Sequence, residues 1–203
     1  MNKIKRFESA VGGRWTGIIF HQEDIPNENI AKRPMRFCEA IRESSTGPLT
    51  LTKDLLSCPG ALRSFGWSRN GDNRLAEKMA AKNGIKIEFA KKLIEKTPCL
   101  NKELSAITIG VYESPDVIVS YAQPEAAMRL VYLWQKRNGI DLDVTISSIM
   151  AVCGCVATGA YVADKLCVSF GCPESRDYGV IGNDRLIIGL SARRIENIFT
   201  ASR

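Results

Sequence analysis

The 203 residues, 45% hydrophobic and 25% charged, are enough to bury one sizeable core, and no glycine- or serine-rich tract marks a tether or a disordered tail. No apolar run approaches the length of about 20 residues that crosses a bilayer, and the opening MNKIKRFESAVGG has basic residues with no apolar stretch behind them, so a single soluble, cytoplasmic domain over 1–203 with no membrane partner is expected. The net charge of +6 is concentrated between Arg63 and Glu103, where ten basic residues face five acidic ones.

In chain order, Trp15 to His21 (WTGIIFH) is an apolar run short enough for an interior strand. Arg36 to Ser44 (RFCEAIRES) has helical spacing and ends in STGP, which cannot continue it, so Cys38 lies near a helix start. Leu49 to Leu56 leads into SCPG, where the proline biases Cys58 toward an extended backbone on a turn. The basic helical segment at about 63–103 centres on Leu75 to Lys92, whose lysines are spaced among alanines and acids as on one exposed amphipathic helix. No glycine-aromatic cluster accompanies it, which argues against nucleic acid as a partner.

Ala106 to Tyr112 and Val117 to Tyr121 read as a hairpin around ESPD. Pro124 opens a helix to Arg137, closed by Asn138-Gly139. A short strand at 142–146, a small-residue helix from Met150 to Ala163, strands at 166–170 and 186–190 and a terminal helix capped by Ser191 complete the pattern. Together they predict an α+β domain with a mixed, largely antiparallel sheet and packed helices.

Seven cysteines are many for a chain without a secretory leader, and their odd number argues against a disulfide framework. Cys167, inside KLCVSF, reads as packing, and Cys99, in TPCLN, has no second cysteine nearby. Cys38, Cys58, Cys153 and Cys172 fall at the edges of predicted elements beside arginine, glycine or proline. Two precede proline, against about 0.3 such steps by chance placement. The same Cys-Pro step follows the last ligand of ferredoxin motifs. In VCGCVATGAY, Cys153 and Cys155 are too close for a C-x-x-C clamp, so one is expected to bind and Cys155 stands as the alternative ligand.

The set MRFC, SCPGA, VSYAQPEAAMRLV, AVCG and VSFGCPESR resembles family 169 of the domains of unknown function, found in archaea and anaerobic bacteria. The resemblance runs from Trp15 to the last helix and is weakest from Arg63 to Glu103. It implies cysteines at positions 38, 58, 153 and 172 and an arginine, here Arg176, four residues past the last. It implies no reaction.

Four thiolates from separate element edges suit a [4Fe–4S] cluster with a redox, electron-transfer or sensor role, with Arg36 and Arg176 beside the ligands to balance charge or to hold a substrate. The alternatives are an enzyme that uses an open cluster iron on a small carboxylate-bearing substrate, and a structural Cys₄ zinc protein. Structural zinc sites draw ligands in local pairs, whereas 19, 94 and 18 residues separate successive members of this set. A redox protein or a small anionic ligand is the expected partner, with self-association open. His21, the only histidine, reads as a strand-end imidazole rather than a catalytic base, and GVIGNDR lacks the spacing of a phosphate loop.

Overall fold

Short runs of isoleucine, valine and leucine bounded by glycine and proline form strands whose alternate residues enter two separate cores. The structure is a computed structural model and describes residues 3–68, 72–139, 141, 142, 144 and 146–199. Among these, six strands make one sheet: β1 (Thr16–His21), β2 (Leu49–Leu51), β3 (Ala106–Ile109), β4 (Val117–Ala122), β5 (Leu166–Ser169) and β6 (Leu186–Ser191). Their order is β2-β3-β1-β4-β6-β5, and each neighbouring pair is antiparallel. Parallel pairing is limited to two isolated bridges, Ile30 with Thr50 and Met35 with Leu56. With the helices below, this is the α+β fold expected from the sequence.

The helices are α1 (Lys3–Val11), α2 (Phe37–Glu43), α3 (Pro59–Ser64), α4 (Asp72–Asn83), α5 (Ile87–Lys96), α6 (Pro124–Asn138), α7 (Gly159–Ala163), α8 (Pro173–Gly179) and α9 (Ile195–Phe199), with a π-helical segment over Ala151–Thr158. Trp15, Ile118, Ile188 and Leu190 share one core with Phe7, Leu130 and Ile198 of α1, α6 and α9. Ile18, Val117, Val119 and Ile187 share the other with residues of α2, α3, α4, α5 and the π-helical segment. The sheet is thus covered on both faces, and Cys38, Cys58 and Cys153 lie on the second.

Three local readings of the sequence are corrected. The hairpin around ESPD does not form, because β3 and β4 each pair with β1, which lies between them. The connector crosses β1 at Gly17, whose carbonyl accepts from the N–H groups of Gly110 and Val111, and a Cβ at Gly17 would stand 1.8 Å from the Val111 carbonyl oxygen. A side chain there would block the crossing. The basic stretch Leu75 to Lys92 is two helices rather than one, broken at Gly84, whose φ of 62° leaves the right-handed region. Met150 to Ala163 begins as π-helix, with the Cys155 N–H bonded to the Met150 carbonyl at 3.0 Å, and turns α-helical only at Gly159. Of the strand expected at 142–146, residues 143 and 145 lie outside the described residues, and Leu142, Val144 and Ile146 belong to no regular element. Residues 200–202 of the expected terminal helix also lie outside them.

Candidate metal centre

Three helix starts and one π-helical segment carry the thiols. Cys38 is the second residue of α2, Cys58 immediately precedes α3, and Cys172 immediately precedes α8. In both Cys-Pro steps the cysteine is extended, with φ,ψ of −93°,113° at Cys58 and −112°,163° at Cys172, and the proline occupies the first helical position, where its missing N–H and fixed φ suit the helix. The repeated Cys-Pro step is therefore a helix entry that leaves the thiol at the opening turn, where backbone N–H groups lack helical partners. Backbone N–H groups of these opening turns, at Gly60 and Ala61 beside Cys58 and at Glu39 beside Cys38, work against the effect of burial on the two thiols.

The four side chains line one cavity of about 310 Å³, together with Arg36, Phe37, Leu75, Lys78, Met79, Lys82, Met150, Val152 and Glu174. Burial raises the Cys38 thiol to about 12, helped by Cys58 and Cys172 nearby. It also pushes Cys58 up, and Cys153 far above the ordinary thiol range, again with the other three thiols adding to the effect on Cys153. Such mutual influence places the sulfurs within electrostatic reach of one another. Among the described residues, however, no group of three or more His, Cys, Asp or Glu side chains is arranged to hold a metal ion.

Arg36 sits at the cavity with its guanidinium over the Tyr178 ring, 4.2 Å from the centroid. Its burial works to lower its pKa, but Cys58, Tyr178, Glu174 and Cys38 outweigh this and hold it raised. Glu174, two residues past Cys172, meets Lys82 of α4 at 2.8 Å. Burial works against its charge, yet the Lys82 hydrogen bond keeps the carboxyl below its usual range. Behind the cavity, the Tyr121 hydroxyl donates to the Cys38 carbonyl at 3.1 Å. The Cys38 thiol lies 3.7 Å from the Glu174 carbonyl.

Arg176 is placed elsewhere. Its Nη1 donates to the Ile181 carbonyl at 3.4 Å and to that of Gly182, and its Nη2 to the Arg185 carbonyl at 3.0 Å and to that of Phe170. It ties the loops on either side of α8 to each other and is not among the residues that line the cavity. Cys155 also points away: with Cys167 it lines a second cavity, of about 120 Å³, beside Lys96 and Lys165. Burial raises both of these thiols to about 11. The glycine between Cys153 and Cys155 explains the tight doublet, since a Cβ at Gly154 would stand 2.3 Å from Thr97 Cγ2, so the π-helical segment approaches the end of α5 only there. Cys99 is half-buried in the loop after α5 and lines neither cavity. His21 bonds Thr108 Oγ1 at 2.9 Å from the strand end, and burial lowers its pKa against the pull of Asp116.

Sequence reasoning missed Tyr178, Lys78, Met79 and Tyr121. The i, i+3, i+4, i+7 spacing of Leu75, Lys78, Met79 and Lys82 was the available signal for an inward face of α4.

An α+β protein in which three helix starts and a π-helical segment bring four thiols to one cavity is the class that the fold and site define. The model of family 169 of the domains of unknown function, described as Uncharacterised ArCR, matches residues 16–201, and the chain belongs to that family. An uncharacterised protein of the archaeon Methanocaldococcus jannaschii is 26% identical over 190 residues, which cover 89% of this chain and 82% of the relative. No solved structure matches. Among the described residues, no helix is long and apolar enough to cross a membrane.

Proposed function

We propose that Cys38, Cys58, Cys153 and Cys172 bind one [4Fe–4S] cluster and that the protein serves a redox, electron-transfer or sensor role inside the cell. The observation that carries this reading is the convergence of these four thiols, out of seven, on one cavity. The donor set fits: a cubane takes one thiolate at each of four separate irons, so its ligands stand apart from one another. A lone zinc at about 2.3 Å from each sulfur would need the four nearly in contact.

Charge supports the same reading. Four thiolates on a [4Fe–4S]²⁺ core leave about −2, and Arg36, Lys78 and Lys82 at the cavity outnumber the one carboxylate, Glu174. The opening turns at Cys38 and Cys58 offer backbone N–H groups without helical partners to metal-bound sulfur, and such bonds raise a cluster's reduction potential.

The test is anaerobic purification or reconstitution with iron and sulfide. About four irons per chain, acid-labile sulfide and a brown colour that bleaches in air are expected. Alanine at position 38, 58, 153 or 172 should each reduce the iron content, whereas Cys99→Ala, Cys155→Ala and Cys167→Ala should not. Stoichiometric zinc without sulfide would overturn the proposal.

A further inference from the structure

The cavity has a second wall that metal binding does not use. It is built from α4, whose Leu75, Lys78 and Met79 face Met150 and Phe37, and from Arg36 at the start of α2. Among the described residues, no side-chain hydrogen bond or ion pair holds the Arg36 guanidinium, which stacks on the ring of Tyr178 with Cys38, Cys58 and Glu174 in electrostatic reach. Stacking on an aromatic face holds the plane of an arginine while leaving the edge donors available, the arrangement that suits two parallel bonds to a carboxylate. Lys78, exposed and without an ion pair among the described residues, adds a second cation to the same wall. The only acid lining the cavity, Glu174, is taken by Lys82.

From this geometry we infer that the cavity binds a small carboxylate with an apolar body, its carboxylate on Arg36 beside Lys78 and its chain against Met79, Met150 and Leu75. The cavity volume of about 310 Å³ lies at the low end for small-molecule sites, which limits the ligand to a few carbons. Methionine walls adapt to unbranched chains. The site shares its cavity with the proposed metal centre but does not rest on it, because the thiols make none of the contacts invoked.

The test uses acetate, butanoate, hexanoate and inorganic phosphate as probes in calorimetric titrations of metal-free protein. Affinity should rise from acetate to hexanoate, and hexan-1-ol should not compete. Arg36→Gln should weaken hexanoate about tenfold or more, and Arg36→Lys should restore only part of the loss, since lysine keeps the charge without the fork. Should Arg36→Gln disturb folding, Met79→Trp, which fills the chain's space and leaves Arg36 in place, should abolish hexanoate binding in a protein that melts normally. Equal affinity for acetate and hexanoate, phosphate binding without carboxylate binding, binding only in metal-loaded protein, or hexanoate affinity unchanged in Arg36→Gln would each overturn the inference.

Discussion

Cys38 shows what burial does to a thiol that has to ionise before it can bind anything. Held at about 12 in the fold against an ordinary value near 9, it stays protonated at neutral pH, so a metal entering the site must displace its proton. In the metal-free protein the raised value makes a stability contribution that is complete below about 9 and is lost as pH rises toward about 12, because the unfolded chain releases the proton first. The slope expected from this one thiol is about 1.4 kcal/mol per pH unit in that window, and urea melts of metal-free wild type and Cys38→Ala, compared from pH 8 to 11, measure it. Parallel curves would mean that Cys38 is not buried as described. Arg176 makes a different single-residue case. Its guanidinium serves four carbonyls, and glutamine cannot reach them all, so Arg176→Gln should destabilise by about 1–3 kcal/mol in urea while leaving hexanoate affinity unchanged. A loss of ligand affinity with full stability would return Arg176 to the binding site. The spacing of four residues from Cys172 was visible in the sequence. Which way the side chain turns was not, since that depends on where the carbonyls of Phe170, Gly182 and Arg185 come to rest.

Helices carry the site through their first turns, and these were partly legible. The STGP stop after α2 and the prolines after Cys58 and Cys172 marked element edges, and the thiols do sit at edges. The π-helical geometry of Ala151–Thr158 left no trace in composition, because its extra residue per turn follows from packing: a Cβ at Gly189 of β6 would stand 2.6 Å from Val156 Cγ1, and Gly154 is pressed against Thr97. Filling that contact should be costly. Gly154→Ala, between two cysteines, should lose about 1–3 kcal/mol in urea, whereas an exposed Gly84→Asn should lose far less, since Gly84 has open space around it and asparagine tolerates its positive φ. Equal losses would deny the close approach. At α4 the reading as one exposed helix failed for a long-range reason: its lysines do face water, but Leu75 and Met79 close a cavity whose other wall lies at residues 36–38, 58–60 and 150–153.

At the scale of the whole molecule, the two cores on opposite faces of the sheet set which substitutions reach the site. Trp15 is fully buried against Phe7, 4.9 Å between centroids, in the core remote from the thiols. Trp15→Phe should therefore lower the urea midpoint and leave iron content per folded chain unchanged, and a matching fall in iron would show that the two faces are coupled. The four thiols could be chosen by eye from the sequence because turn residues flank them, yet nothing local says that stretches so far apart share a cavity. The placement of β1 carries a temporal consequence. As the middle partner of β3 and β4, it cannot pair with the first of them until the chain has been made through residue 109, so residues 16–21 wait unpaired across an intervening stretch of 84 residues. On the ribosome, Cys38 and Cys58 emerge on that stretch with no finished sheet behind them, and Cys153 and Cys172 follow only after the centre of the sheet can close. During synthesis the early pair is exposed to whatever oxidant or stray metal is at hand, and a complete set of four sulfurs exists only once nearly the whole polypeptide is free.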